Sequence, residues 1–262
     1  MSDASSPAST SGLSASRPAL VVIIGRAGSK GVPGKNAMMI AGKPCAQWTI
    51  EHALASDTAG HIALSTDDAR LMGLAREMGI HAIGRSKELA SDTATVDAAA
   101  REAVSSIESS RASPGAISAH TPIAILYANA PVRPPGLVDR AVRRMIETKC
   151  DSVQSYAPVG KMHPWWMARV DGETGRVAPW EGNILNHGVY RRQDLPAAHV
   201  PDGGVLVVTR RALFGEIAGV TPGPHAFFGS DRRGVLNKEG DVVDIDSPID
   251  AIVAEALLGR RA

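Results

Sequence analysis

Two short stretches of this 262-residue chain carry side chains whose types and spacing could do chemistry. The first is GRAGSKGVPGKN, residues 25–36, which follows the apolar run VVII and holds Gly28, Gly31 and Gly34 among Arg26, Lys30 and Lys35. Glycines remove side-chain obstruction, so successive backbone N–H groups can converge on phosphate oxygens, and the three cations supply charge that a polyphosphate would neutralise. The second stretch is Asp244-Ile245-Asp246. Positions two apart on a strand share a face, which aims Asp244 and Asp246 together and turns Ile245 away. Two such carboxylates repel. A hard divalent cation relieves that repulsion, bridges phosphate oxygens and stabilises charge on a leaving phosphate group. Taken singly, the loop reads also as a solvated connection and the acidic pair as a strand end with its turn; taken together they favour an anion site served by a metal.

Familiar phosphate templates fail here. A Walker-type loop needs Gly-Lys-Ser/Thr with an earlier glycine, but Lys35 is followed by Asn36 and Ser29 stands at the earlier glycine position. A dinucleotide fingerprint fails too, because Gly28, Gly31 and Gly34 are spaced by three and Pro33 interrupts before a helix could start. No Ser-His-Asp order or Cys-His pair stands out, and none is required if a hydroxyl attacks phosphorus directly, since positioning and charge neutralisation then carry the rate. Ser247, Pro248 and Asp250 suit the cap, first turn and N3 carboxylate of a helix, which leaves Asp250 out of the metal site. Asp67 and Asp68 sit where a strand meets a helix: one could approach a nucleotide, but helix-start electrostatics is the commoner explanation. His163 is too isolated to be a ligand or a base.

What must position these residues is an alternation of strands and helices. ALVVIIG, HIALST, IHAIG and TPIAILYA read as strands, separated by helical patterns in PCAQWTIEHALAS, DDARLMGLAREMG and DTATVDAAAREAVSSIESS and followed by one in PPGLVDRAVRRMIETK. Helical crossovers of this length imply a mainly parallel sheet covered on both faces. DSVQSYAPV, GGVLVVT and GDVVDID read as later strands and SPIDAIVAEALLGR as a closing helix. Residues 161–200 break the alternation with a Gly-containing turn between two strand-like runs, a small lobe holding Trp165, Trp166 and Trp180 beside Lys161, His163 and Arg169. Those tryptophans suit an interface and a small hairpin core equally. Residues 1–17, rich in Ser, Ala and Pro, are expected to form a disordered leader before a domain spanning 18–262. With 28 basic against 27 acidic side chains, no global field recruits nucleic acid or a membrane surface. Two cysteines without metal spacing, and no apolar run of signal or membrane-spanning length, point to free thiols in the cytoplasm.

The loop IIGRAGSKGVPGKN resembles the signature of the acylneuraminate cytidylyltransferases, the CMP-sialic acid synthetases, and further echoes follow in family order: STDD at 65–68, RSKELASDTAT at 85–95, RRQDLP at 191–196, PDGGVLVV at 201–208 and DIDSPID at 244–250. The resemblance implies an α/β, Rossmann-like nucleotidyltransferase fold with a small hairpin-containing dimerisation lobe. It implies transfer of CMP from CTP to the anomeric hydroxyl of an acidic nine-carbon keto sugar, with Mg²⁺ required and pyrophosphate released. In these terms Arg26, Lys35 and Asp246 would be catalytic. Ala27, Gly28, Ser29, Lys30, Gly31, Asn36 and Arg85 would surround the nucleotide. Tyr127, Asn129, Arg133, Arg192 and Gln193 would meet the acceptor sugar, and Asp244 with Asp246 would hold the metal. A homodimer is implied, with a lobe residue able to enter the neighbouring site. Departures fall on the acceptor side: LYANAPVR places Tyr127 where relatives have glutamine, and Asp202 replaces an asparagine. A phenol offers one hydroxyl where an amide offers separate donor and acceptor ends, so the acceptor could instead be another acidic sugar such as an octulosonate, or the chain a nucleotide- or sugar-binding paralogue without transfer.

Overall fold

A computed structural model of the protein describes residues 12–28, 31–110 and 115–260. The chain begins with β1 (Ala19–Ile24), whose six side chains are all buried. Two short strands, β2 (Met39–Ile40) and β3 (Lys43–Pro44), form a small ladder before α1 (Cys45–Leu54). Then β4 (Ala59–Thr66), α2 (Ala69–Glu77), β5 (His81–Gly84), α3 (Val96–Ser109), β6 (Pro122–Tyr127) and α4 (Leu137–Thr148) alternate as the pattern requires. β7 (Ser152–Pro158) leads to the lobe, where β8 (Ala168–Val170) pairs antiparallel with β9 (Val177–Pro179). The chain returns through β10 (His199–Thr209), α5 (Arg210–Leu213) and β11 (Arg232–Leu236), and ends in α6 (Pro248–Gly259).

The seven-stranded sheet runs β11-β7-β10-β6-β1-β4-β5, with β10 antiparallel to both neighbours and every other ladder parallel. Because side chains alternate along a strand, β1 feeds two cores. Val21 and Ile23 pack with Ile50 of α1, Leu71 of α2 and Val138 of α4, while Leu20 and Val22 pack with Val104 of α3 and Leu213 of α5. A third cluster matters more for the site. Val32 of the glycine-rich loop, Val132, Ile245 and α6 residues Ala254 and Leu258 bury one another. This apolar seam ties the basic loop to the acidic stretch.

Three expectations change. GDVVDID is not a strand: Val243 makes an isolated bridge to Val132, Val243 N donates to Val132 O at 3.2 Å and Ile245 N to Asn129 O at 2.8 Å. Those backbone bonds reach the loop after β6 and not a strand, so no ladder continues. β11 was not legible as a strand, because RRGVL is short, opens with two arginines and lies at the sheet edge. The strand expected at GGVLVVT begins earlier, at His199, with a register shift between Pro201 and Leu206. Of the expected leader, residues 1–11 lie outside the described residues; at residues 12–17, Ser14 N donates to Arg17 O and Leu13 packs on the second core. No helix among the described residues is long and apolar enough to cross a membrane.

Candidate functional site

The basic loop leaves the carboxyl end of β1, and α3 starts across from it, as ligand sites in open α/β sheets require. Arg26, Gly28, Lys35, Asn36, Arg85, Tyr127 and Asn129 line one cleft there, closed on its other side by the start of α3 at Thr95 and Val96. Thr95 caps α3 by accepting from Ala98 N at 3.4 Å, so the positive end of that helix dipole borders the cleft. Asn36 is buried: its amide donates to Arg26 O at 2.8 Å, and its Oδ1 has no partner among the described residues. Ser29 and Lys30 lie outside the described residues.

The acidic stretch meets this cleft. Lys35 Nζ lies 2.5 Å from Asp246 Oδ1, and Asn129 Nδ2 reaches the same oxygen at 3.5 Å. A Cβ on Gly31 would sit 2.5 Å from the Asp246 carbonyl oxygen, a backbone atom, so only glycine permits this approach. Ile245 is fully buried between two carboxylates that stay accessible, which preserves the alternation expected of a strand without a ladder. Burial first, and then the charge of Asp246, push the Asp244 carboxyl above the usual range, while Lys35 opposes them. That combination is what a divalent cation reverses. No group of three or more His, Cys, Asp or Glu gathers for a metal among the described residues. Two carboxylates therefore suit Mg²⁺, which keeps water and phosphate oxygens in its shell, better than an ion needing a full protein cage.

Each cation of the cleft stands beside a carboxylate. Arg26 pairs with Asp92 at 2.5 Å, and Lys35 with Asp246. Burial lowers the pKa of the Arg85 guanidinium while Asp67 and Glu102 support its charge and Arg26 opposes it; its Nη2 donates to Ser65 O at 3.0 Å. Asp67 also accepts from Ala27 N at 2.7 Å, so it holds the loop rather than capping α2; Asp68 is the cap, accepting from Arg70 N at 2.9 Å. Asp92 is a carboxylate beside the cleft that the sequence did not single out, whereas Asp67 is the one of the two aspartates before α2 that reaches the basic loop. The polar run SDTAT before a helix start was the available signal for Asp92.

Arg133 does not line the cleft: it is 4% exposed, and its guanidinium donates to Gly204 O, Thr49 Oγ1, Ala130 O and Tyr127 O, which ties together the backbone behind it. Tyr127 does face the cleft, with its phenol pushed upward by burial and then by Asp244. Arg192 and Gln193 do not line the cleft; they lie on a short exposed turn where Arg192 pairs with Glu239 at 2.6 Å. Asp202 takes the place of the expected asparagine without loss of bonding, since it accepts from Ser155 Oγ at 2.5 Å, Gly204 N at 2.9 Å and Asn237 Nδ2 at 2.7 Å. Asp250 accepts from Ser247 N at 2.7 Å, as a helix-capping carboxylate should. In the lobe the tryptophans divide. Trp165 stacks on His187 at 4.7 Å and Trp166 Nε1 donates to Val189 O at 3.0 Å, whereas Trp180 is 55% exposed beneath Arg169.

Residues 20–117 match the family described as Cytidylyltransferase. The chain is 26% identical over 245 residues to a CMP-N,N'-diacetyllegionaminic acid synthase of Legionella pneumophila, covering 91% of this chain and 95% of that protein. It is 27% identical over 210 residues to an N-acylneuraminate cytidylyltransferase of Streptococcus agalactiae, covering 79% of this chain and 47% of that protein, so it spans about half the length of that relative. Among solved structures, CMP:2-keto-3-deoxy-manno-octonic acid synthetase complexed with CTP superposes with a TM-score of 0.65 at 18% identity, over 93% of this chain and 99% of the other. That likeness establishes the nucleotidyltransferase fold.

Proposed function

We propose that the chain acts as a cytidylyltransferase, transferring CMP from CTP to the anomeric hydroxyl of an acidic keto sugar of the nonulosonate class and releasing pyrophosphate, a reading supported by the family match over residues 20–117 and by the relatives of that activity. The observation that carries this reading is the contact between the two chemical stretches: Lys35 on Asp246, with Gly31 against the Asp246 carbonyl. Arg26, Lys35 and Arg85, with the backbone of Ala27, Gly28 and Gly31 and the amide of Asn36, would hold the nucleotide and its phosphates. Asp92 and Asp246 now occupy two of those cations. A triphosphate would take over these pairings, which keeps the cations oriented before substrate arrives. Asp244 and Asp246 would hold Mg²⁺, which when bound neutralises charge on the departing pyrophosphate. Tyr127 and Asn129 would orient the acceptor, and Arg192 and Gln193, at the lobe edge, would approach its carboxylate.

The lobe, residues 161–200, would join two copies of an 18–262 domain through an outward apolar face that includes Met162, Val170, Trp180, Ile184 and Tyr190. Free, buried Cys45 and Cys150 are compatible with action in the cytoplasm.

A pyrophosphate-release assay with CTP, Mg²⁺ and a panel of nonulosonates and octulosonates tests the reading. Release with a nonulosonate is expected, falling roughly a hundredfold or more in Asp246→Ala at an unchanged melting temperature. Release with octulosonates alone would move the acceptor to the eight-carbon class, the second reading that Tyr127 motivates. Saturable CTP binding without release from any sugar would leave a non-catalytic paralogue.

A further inference from the structure

A cavity of about 540 Å³ opens at the opposite end of the sheet from the catalytic cleft. The cleft is reached from Tyr127 at the end of β6, whereas this cavity is lined by Pro122 at its beginning, about 17 Å of strand away. Its size falls in the range of small-molecule sites. The walls divide by chemistry. Pro122 with Met145 and Ile146 of α4 make the apolar part, while His120, Lys149 and Arg211 supply polar groups.

The charges decide what could enter. Arg211 pairs with buried Asp151 at 2.9 Å, so the two nearly cancel, yet Arg211 Nε is buried without a hydrogen-bond partner among the described residues. No ion pair of Lys149 occurs among the described residues; the lysine sits just past α4 in a left-handed conformation, φ 56°. One uncompensated positive charge, a part-exposed guanidinium and an imidazole beside an apolar wall complement a monoanion with a hydrocarbon body. A dianionic phosphate would find one cation too few, and a neutral lipid would leave the polar groups without partners. We infer that this cavity is a second ligand site, separate from catalysis, for a small amphipathic carboxylate whose head meets Lys149 and Arg211 and whose chain lies against Met145 and Ile146.

Decanoate serves as the probe, titrated calorimetrically into the full chain, with decyltrimethylammonium as the cation of equal chain length. Two substitutions suit the fold. Ile146 is 49% exposed and accepts Ile146→Glu, which sets a negative charge in the wall, and the left-handed backbone of Lys149 favours Lys149→Gly. The expected result is one decanoate per chain with Kd below about 1 mM, weakened at least about tenfold by Ile146→Glu and several-fold by Lys149→Gly. The inference is overturned by absence of saturable heat up to about 5 mM, by equal binding of the cationic analogue, by an unchanged isotherm in Ile146→Glu at an unchanged melting temperature, or by displacement of decanoate with CTP.

Discussion

Lys35 and Arg133 are both cations near the cleft, and they use their charge in opposite ways. Lys35 holds a carboxylate that is 69% exposed, an arrangement an incoming phosphate can replace at little cost. Arg133 donates to four oxygens in the interior, three of them carbonyls, of which Ala130 O and Tyr127 O also lie within reach of Thr49 Oγ1 at 3.1 and 3.2 Å. Burial depresses its pKa to about 10, so it stays charged at neutral pH, and the same burial raises the neighbouring Cys45 thiol to about 12, which keeps that group neutral. Arg133→Met should therefore cost about 3–5 kcal/mol, because four buried charge-assisted hydrogen bonds are lost together. Urea unfolding measures the loss; a variant as stable as the parent would return Arg133 to the list of substrate contacts. At this scale what the sequence let one anticipate is a meeting: the basic loop and the aspartate stretch come into contact through Lys35 and Asp246. The burial of Arg133 was not legible, since it depends on where the chain brings Gly204 and Ala130, which no local pattern encodes.

The elements explain why two stretches separated by more than two hundred residues meet. The parallel core from β1 to β6 could be anticipated because β1 and β6 are apolar runs, β4 and β5 carry short apolar stretches, and helical patterns separate them. The later chain was less legible. β11 opens with two arginines and owes its place to its surroundings: buried Asp151 accepts from Ser230 N at 3.0 Å and Asp231 N at 3.1 Å, fixing the turn that sets the strand beside β7. The segment at Asp244 looked like a strand because it alternates, but its alternation serves the seam with Val32 and α6 rather than a sheet. Ile245 is the part of that seam which links packing to chemistry. Ile245→Ala should lose about 2–5 kcal/mol through the cavity left behind, and should lower kcat/KM beyond what stability explains, since the two aspartates lose the buried residue that fixes their direction. Ile245→Leu, which conserves volume, should remain within about 1.5 kcal/mol and keep turnover. Equal turnover in the two variants, measured by pyrophosphate release at a temperature where both are folded, would separate the seam from the site.

Across the whole molecule, acid sensitivity should come in two stages with different owners. Burial holds His52 and His61 neutral, each with its pKa lowered to about 4 from 6.5, and the Arg133 charge adds to the effect at His52 as His81 does at His61. A lowered folded-state pKa means the unfolded chain binds protons first. The stability these histidines contribute is therefore present above pH 6.5 and is lost as pH falls from there towards 4. Discounted by about half for solvent screening, each shift amounts to about 1 kcal/mol between pH 7 and 5, or about 2 kcal/mol together. Asp68, Asp139 and Asp151 are also held below their ordinary values, but they release their contribution only lower, through the carboxylate range. Asp244 runs the other way: its pKa is raised, so its contribution is present below the ordinary carboxylate range and is lost as pH rises through the folded-state value. Without a metal it opposes stability at neutral pH, and Mg²⁺ should stabilise the protein more at pH 7 than at pH 4. Urea midpoints taken from pH 7 to 5 in metal-free buffer should decline, and the double substitution His52→Leu with His61→Phe should flatten most of that decline while leaving the stage below pH 4 intact. A slope in that window unaltered by the double substitution would mean that other groups, not the two buried imidazoles, take up the first protons.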